Sequence, residues 1–532
     1  MTTTSEHGAA TPPDTEGGGL GFSHRRIVVT MSSLAIAMLL AMLDNMIVAP
    51  ALPTIVGELG GLEHLAWVAT GYILATTVAT PIWGKLGDLF GRRIVFVSAI
   101  GVFLVGSILC GVSQDMGQLI AFRAVQGLGA GGLIVGVMSI LGEMIPPRER
   151  GKYQGIMMAV MPVAMIAGPF VGGYITDNLD WRWAFYVNLP LGAVALVICW
   201  ITLRTLPKGT GGARIDWTGT GLLAVWITAL VLVISWGGTD YDWDSPQILG
   251  LAALAVAGFA AFIIVERRVA EPVMPLRVFK SRNFALASAI SFIAGFAMFG
   301  AVGYLPQFQQ FVQGSSATNS GLLLMPMMIA AMVVSVGGGI FISRTGRYKA
   351  LPVGGTVLVT IGLFLFSTVD VDTGVIATGV YMVVLGIGLG GLMQTSTLIA
   401  QNSVALRDIG AGTGAVTFMR NMGSSIGVAL LGAIYTHQLI GSLEDAGADG
   451  AAIAAGANSM TPELLRGLPD AAVALFQRAV TEGIASLFLW GAVASVLGIV
   501  AAVLVRHVPL RTGKKPEPEP EPEEADAATR ST

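Results

Sequence analysis

Charge is what this chain lacks most. Asp, Glu, Lys and Arg make up 12% of its 532 residues, about half the share of a soluble domain. With 54% hydrophobic residues and a mean hydropathy of +0.73, no compact water-soluble fold can hide the apolar surface. A basic balance is missing too. Thirty Lys plus Arg against 33 Asp plus Glu leave a net charge of −3, which excludes an electrostatic footprint for nucleic acid. Two cysteines, Cys110 and Cys199, build neither a disulfide framework nor a four-ligand zinc site. Five scattered histidines supply no metal cluster, so neither a metal nor a cofactor is expected. There is no Gly-x-x-x-x-Gly-Lys-Ser/Thr loop, which removes ATP hydrolysis as an energy source. No Ser/His/Asp arrangement lies on the apolar segments, so the chain does not read as an enzyme.

What it has is length of apolar sequence. A helix needs about 20 apolar residues to cross a bilayer. Fourteen such windows lie near 27–50, 66–84, 94–114, 117–142, 153–176, 183–203, 216–236, 246–265, 283–310, 320–343, 350–369, 373–400, 409–437 and 483–505. They lack the alternation of barrel strands, so the expected fold is an all-α polytopic membrane protein. A signal peptide is not expected, because the first apolar run is longer than an h-region.

The basic residues set an orientation. Of the thirty, Arg182, Arg466 and Arg478 fall in segments on one side, and Arg123 and Arg420 fall within spans. The remaining twenty-five fall on the side of the N-terminus, which predicts cytoplasmic termini by the positive-inside rule. The chain divides into a disordered arm (1–26), a six-helix bundle (27–203), two inserted helices with linkers (204–282), a second six-helix bundle (283–505) and a disordered tail (506–532). An external loop is expected over 438–482, with an amphipathic piece over 461–477. Gly84 to Arg93 between spans 2 and 3 has an echo in Gly339, Gly346 and Arg347 between spans 10 and 11. Duplicated six-helix blocks are the architecture of transporters that rock about a midplane site.

Asp44 is the only carboxylate deep within any span. Such a group costs at least about 2.5–3.5 kcal/mol to bury and is a functional-site hypothesis by default. A desolvated carboxyl can load and release protons; the alternative is a capping or interfacial acid. Counting at 1.5 Å per residue puts Asp44 about 25 Å from the cytoplasmic end and Arg123 about 9 Å from the external one. The two therefore share the outer half of the membrane. Arg123 needs a carbonyl or carboxylate partner there, whether to tune Asp44 or to tie span 4 to span 1. Gly84, Asp88, Gly91, Arg92 and Arg93 offer tight turns and an acid for a neighbouring helix N-terminus, a latch on the cytoplasmic side. Simple positive-inside anchoring explains Arg92 and Arg93 but not Asp88.

These residues resemble the major facilitator superfamily, and within it the fourteen-helix drug:proton antiporters of the EmrB/QacA type. Gly84 to Arg93 is similar to that family's loop motif, and Arg123-Ala124-Val125-Gln126-Gly127 to its proton-coupling motif. Gly168-Pro169 with Gly172-Gly173 resembles the motif that marks exporters. Trp181 to Phe185 and Asn188-Leu189-Pro190 resemble the signature after span 5. Leu43 to Pro53 departs from the pattern, with Met46 and Ala49 where Thr and Asn are usual, though Asp44 is retained. The resemblance implies two six-helix bundles plus two extra helices, with protons and a lipophilic small molecule as partners. It implies multidrug efflux or, as the alternative, export of one endogenous metabolite or lipid. A monomer in the cytoplasmic membrane is expected.

In that frame Gly155, Gly168, Pro169, Gly172 and Gly173 form a small-residue, Pro-kinked helix suited to sealing the two halves. Met46, Met161, Gln307, Gln310, Gln394 and Arg420 are the candidates for the substrate cavity, methionine because it adapts to varied apolar ligands. Arg420 reads equally as a cavity cation that repels cations or holds an anionic group, and as a brace between helices.

Overall fold

A computed structural model of the chain describes residues 24–59, 65–158, 160–206, 216–238, 241–269, 271–315, 317–447, 450, 453–454, 464–465 and 467–510. The backbone alone is described for some residues within helices, Met161 and Pro169 among them. Residues 1–23 and 511–532, most of the predicted arm and tail, lie outside the described residues.

The described chain is helical, as lipid demands of backbone groups that have no water to bond. In order the helices are α1 (His24–Leu59), α2 (Leu65–Phe90), α3 (Arg92–Gly111), α4 (Met116–Met144), α5 (Pro147–Met158) and α6 (Val160–Asn178). Then come α7 (Trp183–Tyr186), α8 (Asn188–Thr202), α9 (Trp217–Trp236), α10 (Pro246–Glu266), α11 (Arg282–Phe311) and α12 (Ala317–Leu323). The last five are α13 (Met325–Thr345), α14 (Ala350–Phe366), α15 (Val375–Asn402), α16 (Ile409–Glu444) and α17 (Asp470–Leu504). Polar side chains start several of them: Asp115, Asp216 and Ser245 accept from the amides of Gln118, Gly219 and Ile248. Gly91 alone separates α2 from α3, at φ 91°, a conformation that costs a side-chain-bearing residue.

Eleven helices among the described residues are long and apolar enough to cross a membrane, and Ala350–Phe366 is a shorter apolar one. The windows at 66–84 and 153–176 fall on α2 and on the pair α5 and α6, which are not among the eleven. The predicted external loop over 438–482 is corrected. Helix α16 runs on to Glu444 and α17 begins at Asp470, so both helices extend past their apolar windows. Hydropathy ends where side chains turn polar, whereas the backbone keeps its hydrogen bonds. Within 461–477, residues 461–463 and 466 lie outside the described residues, and 470–477 form the first turns of α17. The arm and tail boundaries also move. His24, Arg25 and Arg26 open α1, and the segment after α17 is held: Asn283 pairs with the backbone of Arg506 at 2.8 and 3.0 Å, and the Val508 amide donates to the Tyr348 hydroxyl at 2.8 Å.

Helices α1 to α8 pack as one bundle, α2 and α3 on α4, α1 on α6 and α8. Helices α11 to α17 form the second, with α16 on α11 and α17, and α15 on α13 and α14. The hairpin α9–α10 shares its apolar core with the second bundle, where Trp226 meets Phe418 edge-on at 5.9 Å. The bundles touch along α2–α16 and α5–α13. Large apolar residues such as Phe170, Val256, Ile376 and Leu497 point outward, the surface a lipid solvent requires.

Candidate functional site

Asp44 lies at the centre of a closed polar network inside the first bundle, with no exposed surface. Four helices supply it. Arg123 on α4 donates through Nη1 to Asp44 Oδ2, forming an ion pair with both partners buried. Gln126, one turn along α4, donates through Nε2 to Asp44 Oδ1 at 2.7 Å and to Ser107 Oγ of α3 at 2.6 Å. Asn188, the first residue of α8, donates to the same two oxygens at 2.7 and 2.9 Å. Three donors thus surround one carboxyl, the arrangement that complements a charged carboxylate.

Arg123 is equally well occupied. Besides Asp44 it reaches Gln126 Oε1 at 2.8 Å, Asn45 Oδ1 at 2.8 Å and the Val68 carbonyl at 3.2 Å. Its guanidinium sits 4.2 Å above the ring of Tyr72, whose hydroxyl donates to the Ala41 carbonyl. Removing one partner of a buried pair typically costs about 3–5 kcal/mol, because the other charge stays behind uncompensated. One atom is left over. Asn188 Oδ1 is buried and accepts nothing among the described residues.

At the end of the molecule rich in Lys and Arg the two bundles are pinned together. Asp88 accepts from the amides of Gly410 and Ala411 at 3.0 and 2.7 Å, so its carboxylate caps the N-terminus of α16. Arg92 pairs with Asp88 and also with Glu143 of α4 at 3.0 Å. A methyl added at Gly84 would lie 2.5 Å from the Gly410 carbonyl, so close an approach needs glycine. Arg93 instead turns to α8 and lies 3.9 Å over Trp200. Gln394 is part of this junction: it donates to the Gly151 carbonyl at 2.6 Å across the bundles. Gln401 donates to the Met138 carbonyl at 3.0 Å in the same way.

The glycine helix divides into two parts. A methyl at Gly155 would meet Val336 Cα of the second bundle at 2.6 Å. At Gly168 and Gly172 the neighbours are Met46 and Ile47 of α1, while Gly173 has nothing within 4 Å. Only Gly155 therefore sits at the junction of the halves; Gly168 and Gly172 seat α6 against α1, two and three residues from Asp44. Small residues served both contacts, and spacing alone did not tell one partner helix from the other. Pro169 lies in the backbone of α6. Met46 packs on α6, Gln307 is half-buried, and Gln310 donates to Ser320 at 3.0 Å. The side chain of Met161 is outside the described residues. Arg420 lies deep in α16.

Sequence reasoning missed Asn45 and Tyr72 as partners of Arg123, and Ser107, Gln126 and Asn188 as members of the Asp44 network. Gln126 was findable, since it stands at i+3 from Arg123 on one helix face. Nothing in the local sequence marks Ser107.

Comparison with known proteins places the architecture. The family model described as Major Facilitator Superfamily matches residues 34–428. The chain belongs to the major facilitator superfamily. It is 40% identical to an uncharacterized MFS-type transporter of Mycobacterium tuberculosis over 94% of this chain and 72% of that one. It is 35% identical to the multidrug transporter protein MdtP of Bacillus subtilis over 96% and 98%. Among solved structures, the proton:xylose symporter XylE superposes with a TM-score of 0.58 over 92% of this chain and 99% of its own, at 12% identity. That last likeness is one of fold. This major facilitator protein is a multi-pass membrane transporter and not an enzyme.

Proposed function

We propose that this transporter is a fourteen-helix, proton-coupled antiporter that exports lipophilic small molecules across the cytoplasmic membrane, with both termini inside. The observation that carries the reading is the sealed Asp44–Arg123 network, a titratable acid held wholly inside a helical bundle. The names of the relatives support the export direction: multidrug transporter protein, multidrug resistance protein and efflux pump at 31–35% identity. The fourteen crossings are the eleven long apolar helices, the shorter α14, α2, and α5 with α6 taken as one.

In this mechanism the bundles are joined at the cytoplasmic end by Asp88 on α16 and by the Gly155 contact, leaving the external side to open. A proton arriving from outside neutralises Asp44. Arg123 then loses its ionic partner and keeps Gln126, Asn45 and the Val68 carbonyl, which weakens the hold of α4 on α1. That change in the first bundle biases the rocking of the two halves, and release of the proton to the cytoplasm restores the pair. Each proton moving down 100 mV supplies about 2.3 kcal/mol and each pH unit about 1.4 kcal/mol. A single carboxyl suffices for a gradient of about a hundredfold or more.

The test is substrate-induced proton release from purified protein, run beside Asp44→Asn. Wild type should release protons on binding a lipophilic dye, and the variant should bind the dye and release none. Equal release from both would remove Asp44 from the coupling.

A further inference from the structure

Two arginines lie inside the spans, and the second has been given no work. Arg420 stands eleven residues after Ile409, about 16 Å along α16 from the end that meets Asp88. Its guanidinium forms no hydrogen bond and no ion pair among the described residues. Its carbonyl, by contrast, is in place, accepting from Ser424 at 3.0 Å, and it crosses α11 at Gly295, where any side chain would strike it.

No rearrangement within the second bundle supplies a counter-ion. Helices α11, α13, α14 and α15 contain no Asp or Glu; α16 has only Glu444 at its far end, and α17 has Asp470 and Glu482 in its first half. Glu482 is already paired with Ser442 and Arg478. Asp408, before α16, holds Arg277 at 2.8 Å. Asp44 is taken by three donors of its own bundle. The nitrogens of Arg420 are also not among the buried atoms left without a partner. They are therefore unbonded yet not sealed, at mid-membrane depth. A brace between helices needs a partner, and this cation has none among the described residues.

We infer that Arg420 is the anchor for an anionic group on the exported compound, a carboxylate, sulfonate or phosphate carried on an apolar skeleton. A guanidinium presents five donors in a planar fork that matches such groups two bonds at a time. Held without a protein partner, it stays free for a ligand, which removes the desolvation penalty of the empty state when it binds. The inference rests on the export reading and narrows its substrate class. It also adds a driving force, since an anion leaving and a proton entering both move charge in the direction an inside-negative potential favours.

Two dyes with one skeleton test it in the full-length protein: 1-anilinonaphthalene-8-sulfonate and the neutral N-phenyl-1-naphthylamine, titrated at equilibrium by fluorescence. Arg420→Gln should weaken the sulfonate by about tenfold or more, the loss of a charge-assisted pair, and leave the neutral dye within about twofold. Arg420→Lys, keeping charge but not the fork, should fall between. Unchanged neutral binding shows that the variant is folded. Sulfonate binding indifferent to residue 420, or a wild type that prefers the neutral dye, overturns the anchor and leaves export standing. A wild type that binds neither dye counts against the export reading itself.

Discussion

The two bundles treat a buried arginine in opposite ways. Arg123 in the first is met by a carboxylate, two side-chain amides, a backbone carbonyl and an aromatic ring. Arg420 in the second is met by none of these among the described residues. A charge so completely satisfied belongs to the resting structure, while one left bare has its partner elsewhere. On the proposed function, that contrast assigns the proton to one half and the organic compound to the other.

Stability measures that contrast most directly. Arg123→Gln strands Asp44 in a site with no exposed surface, and should cost about 3–5 kcal/mol. Arg420→Gln strands nothing and should be neutral or raise the unfolding temperature in detergent, because a desolvated charge is removed. The pair of melting curves is the check. If Arg420→Gln is destabilising by a similar amount, the second bundle holds a partner for it and the comparison breaks. The double variant Asp44→Asn with Arg123→Gln should recover part of the single-variant loss, since neither charge is then left alone.

Glycines sharpen the same division at a smaller scale. Gly155→Leu pushes against Val336 of the second bundle, and Gly168→Leu against Met46 of α1. The first should disturb how the halves meet: cysteine labelling of the cytoplasmic side should rise several-fold as the closed end is wedged open. The second should leave that labelling near wild type and instead impair proton release, through α1 next to Asp44. Cysteine labelling and proton release measured on both variants separate the effects. Identical profiles would mean that the helix acts as one undivided seal.

How much of this was legible in the sequence follows from the range of the forces involved. The helical fold came from apolar length, because a bilayer permits almost nothing else. Asp44 and Arg123 announced themselves by cost, and counting along the helices put both at one depth; the two side chains do meet. Asp88 was legible as an acid that basic anchoring leaves unexplained, and it caps α16. Asn188 and Ser107 were not legible, since they are ordinary residues brought to Asp44 by the crossing of α8 and α3. The assignment of Gln394 to the substrate cavity meets a related limit. A polar residue in a span signals a partner, but not whether that partner is a ligand or the Gly151 carbonyl of the opposite bundle. Helix ends failed where α16 and α17 outrun their apolar windows.

The smallest expected effect lies at the corner where the end of α1 meets the segment before α7. Glu58 accepts from Arg182 Nη1 at 2.7 Å and from Trp181 Nε1 at 2.8 Å. These donors, Arg182 first and Trp181 second, hold its carboxyl below the ordinary carboxylate range. A carboxyl lowered on folding adds stability above its unfolded value, near 4.3, and loses that contribution as the pH falls through its folded value. Half of the side chain is exposed, so solvent screens the pair and the contribution is small. The unfolding temperature should therefore drop slightly more steeply below about pH 5 in wild type than in Glu58→Gln, with the two curves closing at the acid end. Parallel curves would mean that the corner is held by the buried Trp181 ring alone. The same variant should leave the Asp44 network intact, because Arg182 belongs to the rim and Asn188, six residues on, belongs to the core.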